Sequence, residues 1–286
     1  MISKCMIIAE ISANHDGDIE IAKETIRAAK RAGADAIKMQ TYKPETITLN
    51  CKNDDFKVQG GTIWDGKFLH DLYQEASLPW EWHKELFDQA KKEGLICFST
   101  PFDFTAVDFL EELDCPIYKV ASFEITHLPL IEKIAKTKKP IIISTGMATK
   151  KEISEAIQTV RKYNNKKIIL MKCTSEYPAD PKYSNLKTIV DMRKSFKCEI
   201  GLSDHTIGIG CAISSINHGA SVIEKHFTIN KKDGGIDSPF SLEPFELKML
   251  VSESKRAWLS NGKVSYGPSK NEKKSLVFRR SIFLNK

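Results

Sequence analysis

The sequence lacks the features that mark secreted, zinc-stabilised and membrane-spanning proteins. Its seven cysteines are odd in number and form no C-x-x-C pair. A disulfide framework or a zinc ribbon needs paired, regularly spaced cysteines, so we expect reduced thiols inside strands. The first residues, MISKCMIIAE, enter a strand-like run without a signal peptide, and no apolar run reaches membrane-spanning length. These absences predict a cytoplasmic chain.

Two further features are missing or weak. No G-x-G-x-x-G follows the first strand-like run, which argues against a dinucleotide-binding open sheet. The net charge is +6 and the pI about 8.8, but the lysines are spread along amphipathic helices, with one dense cluster near the C-terminus. We therefore expect no nucleic-acid partner, and the basic balance also suits an anionic small substrate.

Strand-like and helix-like segments alternate along the whole chain. Eight strand-like runs, each followed by a helical pattern, predict a TIM (β/α)8 barrel of the α/β class. A doubly wound open sheet is the alternative. The predicted strands are residues 5–10, 36–40, 95–100, 116–122, 140–145, 167–173 and two within 199–227.

The composition changes after residue 260. The following stretch is polar, rich in lysine and contains glycine and proline, which is typical of a linker or an extended arm. We predict a catalytic barrel over residues 1–260, and over 261–286 a linker with the start of a truncated second domain.

Polar side chains gather at the predicted C-terminal ends of the strands. In a barrel these ends form one mouth, where active sites lie. The residues at or just beyond them include Glu10, Lys38, Gln40, Thr100, Lys119, Ser122, Glu124, Ser144, Ser175, Tyr177, Ser203, Asp204, His205, Glu224, Lys225 and His226.

His205 and His226 end two consecutive strands, so the two imidazoles are expected to converge on one divalent metal. Ser203 and Glu224 share strand parity with them and should point to the same side. Imidazole suits Mn, Fe, Co or Zn, and with two histidines alone the remaining ligands would be water and substrate oxygens.

Lys38, Lys119 and the hydroxyl groups of the mouth suit a ligand that carries phosphate and carboxylate. Taken singly, either lysine could instead pair with an acid of a neighbouring strand. His70, His83, His127 and His218 are interpreted as structural. Trp80 and Trp82 are interpreted as a packed cluster, whereas Trp64 could line a pocket or pack.

Several motifs resemble the sialic acid synthase family, whose members condense phosphoenolpyruvate with an acetamido sugar. They are AEISANHDGD, GADAIKMQTY, FSTPFD, YKVASFE, ISTGMAT, KCTSEYP, GLSDHT, VIEKHF and DSPFSLEP. The resemblance runs from Cys5 to about Lys286. The stretches GGTIWDGKFLHDLYQEASLPWEW, ASFE and CTSEYP look most like the pseudaminic acid synthase branch.

The resemblance implies roles for individual residues. His205 and His226 would hold the divalent metal, often manganese in this family, and Glu10 and Glu224 would be the acid/base candidates. Phosphoenolpyruvate would be held by Lys38, Thr100, Lys119, Ser122, Ser144 and Ser203. The sugar would meet Gln40, Glu124, Ser175, Tyr177 and Asp237.

The resemblance also implies a TIM barrel followed by a small antifreeze-like domain, which in family homodimers covers the partner's site. This sequence stops where that domain would begin, so the domain is expected to be missing here. The predicted product is pseudaminic acid. The alternatives are N-acetylneuraminate or legionaminate synthesis and, more distantly, a metal-dependent aldolase or a non-catalytic sugar- or anion-binding barrel.

Overall fold

Eight parallel strands close on themselves in chain order, with β1 paired to both β2 and β8. This computed structural model describes residues 5–233 and 235–279. The strands are β1 Met6–Glu10, β2 Ala36–Thr41, β3 Ile96–Pro101, β4 Tyr118–Val120, β5 Ile141–Ser144, β6 Ile168–Cys173, β7 Glu199–Ser203 and β8 Val222–His226. The predicted TIM barrel is confirmed, and the open sheet is excluded.

Helices connect the strands and cover the outside of the barrel. They are α1 Ile19–Ala32, α2 Pro44–Ile47, α3 Leu69–Ala76, α4 Trp80–Glu93, α5 Phe104–Glu112, α6 Leu128–Lys136, α7 Lys150–Lys162, α8 Thr188–Phe196, α9 Gly210–Asn217 and α10 Pro244–Ser260. Strand β4 is shorter than the predicted run 116–122. Strand β4 is short because Ser122–Glu124 turns into a 3-10 helix, and α9 begins only at Gly210.

Local sequence signals set the ends of several helices. The Asp18 carboxylate accepts the Glu20 amide at the start of α1, and Gly33 ends that helix with a φ of 94°, which favours glycine. Thr149 caps the start of α7 in a reciprocal capping box with Glu152. These caps pair backbone groups that helix termini otherwise leave open.

Ile, Val, Leu and Ala of the strands pack inside the barrel and against the inner faces of the helices. Ile8, Phe98 and Ile142 are among the fully buried side chains. Burying one such side chain contributes roughly 1.5–3 kcal/mol, so the apolar layers stabilise the frame on which the polar mouth is built.

A long connection after β2 carries the tryptophans whose placement the sequence left partly open. Trp80 stacks on Phe109 with ring centroids 4.5 Å apart, and Trp82 meets His15 edge-on at 5.9 Å. The packed interpretation of both is confirmed. Within this connection, residues 57–68 form a narrow loop closed by an antiparallel bridge between Lys57 and Phe68. We call it the 57–68 segment.

Helix α10 ends at Ser260, and the residues from 261 to 279 are exposed, with one 3-10 helix at Glu272–Phe278. The predicted linker and second domain stay predictions, and residues 280–286 of that stretch lie outside the described residues. In the part of the chain that the structure describes, no helix is both long and apolar enough to cross a membrane.

His83 is fully buried on α4, between the Thr41 hydroxyl at 2.8 Å and the Pro79 carbonyl at 3.1 Å. Burial lowers the pKa of His83 to about 4, against about 6.5 in an unfolded chain. The folded state therefore binds fewer protons, and stability is lost as the pH falls through this interval.

We expect His83→Asn, which keeps a donor toward Pro79 but does not titrate, to lose less stability between pH 7.5 and pH 5 than the wild type. The difference should be on the order of 1–2 kcal/mol, measured by urea unfolding at both pH values. Equal losses in the two proteins would contradict a neutral buried His83.

Candidate active site

Four buried charged side chains meet inside the mouth of the barrel. Lys38 Nζ lies 2.6 Å from Glu10 Oε2 and 3.7 Å from Glu224 Oε1. Lys119 Nζ donates to both Glu224 oxygens, at 2.8 and 3.0 Å. Each of the four side chains is at most 5% exposed. We call Glu10, Lys38, Lys119 and Glu224 the charged quartet.

Strand register explains why these residues meet. Glu10 is the direct neighbour of Lys38 on β2 and of His226 on β8, and Ser203 on β7 is the neighbour of Glu224. Alternate residues of a strand point to the same side, so one row of each strand faces the mouth. Lys119 reaches Glu224 from β4, across the barrel.

Hydroxyl groups extend the quartet. Lys38 Nζ donates to Thr100 Oγ1 at 3.1 Å, and Ser203 Oγ donates to Glu224 Oε1 at 3.4 Å. Gln40 Nε2 donates to Glu10 Oε1 at 3.2 Å and to Ser12 Oγ at 2.9 Å. The sequence left open whether each lysine pairs with an acid of another strand. In this structure both lysines do, and both partners are glutamates.

Burial and pairing act against each other on the charges of the quartet. Burial raises the pKa of Glu10 more than Lys38 lowers it. Burial also opposes the charge on Lys38, but Glu10 and Glu224 outweigh it and raise the pKa of Lys38. Burial favours the neutral form of Glu224, but Lys119 and Lys38 outweigh it and lower the pKa of Glu224. For Lys119, burial is the larger effect and lowers the pKa. Two ammonium groups and two carboxylates therefore share one dry space.

His205 and His226 lie side by side at the edge of the quartet, with ring centroids 5.4 Å apart. Because a carbonyl can only accept, His205 Nδ1 donates to Thr174 O at 2.8 Å, so Nε2 carries the lone pair when the ring is neutral. Burial opposes the charge on His205, but Cys173 and the Thr174 carbonyl outweigh it and raise the pKa of His205. Nδ1 of His226 is buried without a hydrogen bond, 3.6 Å from Asp237 Oδ2. Burial lowers the pKa of His226 well below its ordinary value, so this imidazole is neutral, the form that binds metals.

These features fit a divalent metal held by two imidazoles. Among residues 5–233 and 235–279, no three His, Cys, Asp or Glu side chains are grouped to hold a metal. A catalytic metal site needs open positions for water or substrate, and two imidazole ligands leave such positions.

Asp237 is fixed beside His226 by the end of β1. Its Oδ2 accepts the Ala13 amide at 3.5 Å. Asn14 donates to the Phe227 carbonyl at 3.1 Å and to Ser241 Oγ at 2.8 Å, and Ser241 in turn donates to the Asp237 carbonyl at 2.7 Å. The loop after β8 is thus tied to the loop after β1, and burial raises the pKa of Asp237.

A second group of hydroxyls surrounds Gly146. The Gly146 amide donates to Ser122 Oγ at 3.0 Å. A Cβ on Gly146 would lie 2.2 Å from Ser175 Oγ and 2.8 Å from Ser122 Oγ, so only glycine fits between these serines. Ser144 Oγ is buried nearby in sequence and has no hydrogen-bond partner. This pocket of hydroxyl and amide groups is suited to an anion's oxygens.

Glu124 and Tyr177 stand apart from the quartet. Oε2 of Glu124 is buried and accepts no hydrogen bond, and burial raises the pKa of Glu124 to about 7. The Tyr177 ring packs against His205 at 4.3 Å and against His226 at 6.3 Å. Within the described chain, no hydrogen bond or ion pair joins Glu124 to the quartet.

Some residues at the strand ends do not belong to the mouth, and some residues of the mouth were not predicted from the sequence. Lys225 and Asp204 form their own buried ion pair at 3.2 Å, on the opposite parity of β8 from Glu224. Asn14 and Gly146 stand at strand ends in the sequence, whereas Phe240 and Cys173 were not predicted as site residues. Parity along β6 could have found Cys173, whose Sγ lies 3.9 Å from His205 Nδ1. Nothing in the sequence pattern signals Phe240.

Residues 25–266 match the family model of the NeuB family. The chain belongs to the NeuB family. A pseudaminic acid synthase of Helicobacter pylori is 47% identical over 100% of this chain and 84% of its own length. An N,N'-diacetyllegionaminic acid synthase of Campylobacter jejuni is 40% identical over 100% of this chain and 86% of its own length.

A solved structure has the same fold. The N-acetylneuraminic acid synthetase of Leptospira borgpetersenii, in complex with citrate, superimposes with a TM-score of 0.85 at 31% identity, covering 97% of this chain and 92% of that one. This NeuB family chain is therefore a phosphoenolpyruvate-dependent nonulosonic acid synthase, a transferase. Enzymes of the family are metal-dependent.

Removing one partner of the Lys119–Glu224 pair should destabilise the protein more than removing the charges of both partners. Lys119→Met leaves the Glu224 carboxylate with Lys38 alone, and we expect a loss of about 3 kcal/mol in the free energy of unfolding. Adding Glu224→Gln should recover part of that loss, since the unpaired charge is gone. Urea unfolding of both single variants and the double variant forms the cycle. Additive losses would show that the two side chains do not interact.

Proposed function

We propose that this NeuB family enzyme is a pseudaminic acid synthase. It would condense phosphoenolpyruvate with the open-chain aldehyde of 2,4-diacetamido-2,4,6-trideoxy-altrose, forming pseudaminic acid and releasing phosphate. The observation that carries the proposal is that two buried lysines and the His205–His226 pair share one mouth, where Glu10 pairs with Lys38 and is the strand neighbour of His226. The choice of sugar is supported by the relatives of that name in H. pylori and C. jejuni.

His205 and His226 would hold the metal, for which we propose manganese. When bound, the metal supplies a Lewis acid for the aldehyde oxygen of the sugar. Asp237 and Tyr177, which lie against the two imidazoles, would orient the sugar there. Gln40, Ser175 and Glu124 would contact its other groups.

Phosphoenolpyruvate would occupy the other half of the mouth. Lys38 and Lys119 would bind its phosphate and carboxylate, with Thr100, Ser203, Ser122 and Ser144 as hydroxyl donors. In the structure each ammonium group faces a glutamate at 2.6–2.8 Å, so the anion would share or displace these contacts. The glutamates would then be left as bases beside the reacting carbons.

The reaction forms one carbon–carbon bond and one carbon–oxygen bond, and it breaks the bond between C2 and the phosphate oxygen. C3 of phosphoenolpyruvate attacks the aldehyde carbon, and the aldehyde oxygen takes up a proton. Water adds to C2 and gives up one proton. Phosphate then leaves with its bridging oxygen and takes up a proton, while the C2 hydroxyl loses its proton and becomes the carbonyl of the 2-keto acid. Glu10 and Glu224 reach this region and would accept the proton of the water or supply that of the alcohol. The lysines would stabilise the charge of the departing phosphate.

Legionaminate synthesis is the second candidate, because legionaminic acid synthases also match this chain across its full length. It uses the same phosphoenolpyruvate chemistry on a sugar of different stereochemistry. N-acetylneuraminate synthesis differs further, since N-acetylmannosamine lacks the second acetamido group and the deoxy carbon.

The proposal is tested by phosphate release with Mn²⁺, phosphoenolpyruvate and each sugar in turn. We expect turnover with the altro sugar at least tenfold faster than with the manno isomer or N-acetylmannosamine. His226→Ala should abolish it and weaken Mn²⁺ binding measured by calorimetry. His218→Ala, at the end of α9, is the matched control and should change neither. Faster turnover with another sugar would overturn the assignment, and full activity of His226→Ala would overturn the metal site.

Glu124 gives a second test, in the pH dependence. With its pKa raised to about 7 by burial, the carboxylate that would accept a hydrogen bond from the sugar is lost as the pH falls below 7. We expect kcat/KM for the sugar to drop roughly tenfold between pH 8 and pH 6 at saturating metal. Glu124→Gln should be slower and lack this step. If Glu124→Gln showed the same drop in kcat/KM between pH 8 and pH 6 as the wild type, the titrating group would not be Glu124.

A further inference from the structure

Three aromatic side chains form a wall on the metal-ligand side of the mouth. Tyr177 packs against His205 at 4.3 Å, and Trp64 packs against Tyr177 at 5.6 Å. Phe240 touches all of them, lying 4.9 Å from His226, 5.4 Å from Tyr177 and 6.4 Å from Trp64. Trp64, Tyr177 and Phe240 are called the aromatic wall.

Trp64 is the member of this wall that comes from farthest away in the chain. The 57–68 segment carries it from the connection after β2, whereas Tyr177 follows β6 and Phe240 follows β8. The indole Nε1 donates to the Ile236 carbonyl at 3.3 Å, which fixes the ring over the loop after β8. One side chain thus joins the loops of three strands.

The turn that presents Trp64 is built by its own side chains. The Asp65 carboxylate accepts the amides of Gly61 and Thr62 at 2.8 and 2.9 Å, and the Thr62 hydroxyl at 2.7 Å. Backbone bonds from Val58 to Lys67 and from Gly66 to Val58 close the segment below it. The turn is therefore preorganised, and its placement does not depend on packing into the core.

The three tryptophans between β2 and β3 pack against different parts of the molecule. Trp80 donates to the Tyr42 carbonyl and stacks on Phe109 of α5, and Trp82 packs against the helix-side core. All three tryptophans are half-buried, but the ring neighbours of Trp64 are Tyr177 and Phe240, which pack against His205 and His226 at the mouth. An aromatic face kept partly in solvent at the mouth of a site is available to a ligand.

We propose that Trp64 is a specificity-determining residue, which contacts the apolar substituents at the end of the acceptor sugar distant from the aldehyde. This inference rests on the proposed function. The aldehyde must lie at His205 and His226, so the sugar extends outward along the wall. Tyr177 meets the carbons next to the aldehyde, and Trp64, one ring farther out, meets the far end. There the proposed sugar carries a deoxy carbon and an acetamido group, and N-acetylmannosamine carries hydroxyls.

The chemistry of the wall favours the first of these sugars. A methyl group gains from contact with an aromatic face, whereas a hydroxyl placed there loses water without finding a partner. A hydrophobic contact of this size discriminates by about tenfold to a few hundredfold. Trp64 therefore discriminates between sugars when the sugar binds, and it does not affect the binding of phosphoenolpyruvate or of the metal.

The test compares wild type, Trp64→Ala, Trp64→Phe and the control Trp80→Phe. KM is measured for the trideoxy sugar and for phosphoenolpyruvate, and N-acetylmannosamine is measured as a competitor of the sugar, which does not require its turnover. We expect Trp64→Ala to raise KM for the trideoxy sugar at least tenfold. KM for phosphoenolpyruvate and the inhibition constant of N-acetylmannosamine should change less than threefold. Trp64→Phe should lie between, and Trp80→Phe should match the wild type.

The inference is overturned if Trp64→Ala weakens both sugars equally, or if it raises KM for phosphoenolpyruvate instead. Should Trp64→Ala not fold, Trp64→Phe decides the question in the same assay, by whether it shifts the trideoxy sugar alone. A wild type that is inactive with every sugar overturns the proposed function as well. An active wild type with an unchanged preference in the variants overturns only the role of Trp64.

Discussion

The charged quartet is the interaction on which the rest of the mouth depends. Burying one ammonium group or one carboxylate alone would cost several kcal/mol. Here Lys38 and Lys119 neutralise Glu10 and Glu224 within hydrogen-bonding distance, and Thr100 and Ser203 complete the contacts. Because these residues come from β1, β2, β3, β4, β7 and β8, the network exists only when the barrel is closed. Closure of the barrel and assembly of the site are therefore one event.

The mouth divides into two chemically different halves around this network. One half consists of charges, hydroxyls and the Gly146 amide, which suit the oxygens of an anion. The other half consists of imidazole and aromatic rings, with His205 and His226 packed against Tyr177 and Phe240. The two environments match the two substrates of the proposed reaction, an anionic enol ester and a sugar with methyl groups.

Loops and strands carry different parts of this arrangement. The strands fix the quartet and the imidazoles through register, with little freedom to vary. Longer connections supply Trp64, Tyr177, Asp237 and Phe240. Hydrogen bonds that Asn14 donates and that the Asp65 carboxylate accepts hold two of these connections in place. The lysines proposed to bind phosphoenolpyruvate thus lie on the rigid frame, whereas Trp64 and Tyr177, which are proposed to contact the sugar, lie on loops, where sequence can change without disturbing the barrel.

The sequence by itself determined the barrel, because eight alternating apolar and helical patterns leave few other architectures, and it placed His205, His226, Lys38 and Lys119 at strand ends. Strand parity also put Ser203 and Glu224 on the side of the histidines. Only the tertiary structure decided which groups touch. Lys119 meets Glu224 across the barrel, Lys225 turns away to Asp204, and Trp64 reaches Tyr177 from a distant connection. The periodicity of apolar residues is a local property that can be read directly from the sequence. Contacts across the barrel depend on closure of the sheet and on the paths of the loops, and no local sequence pattern encodes either.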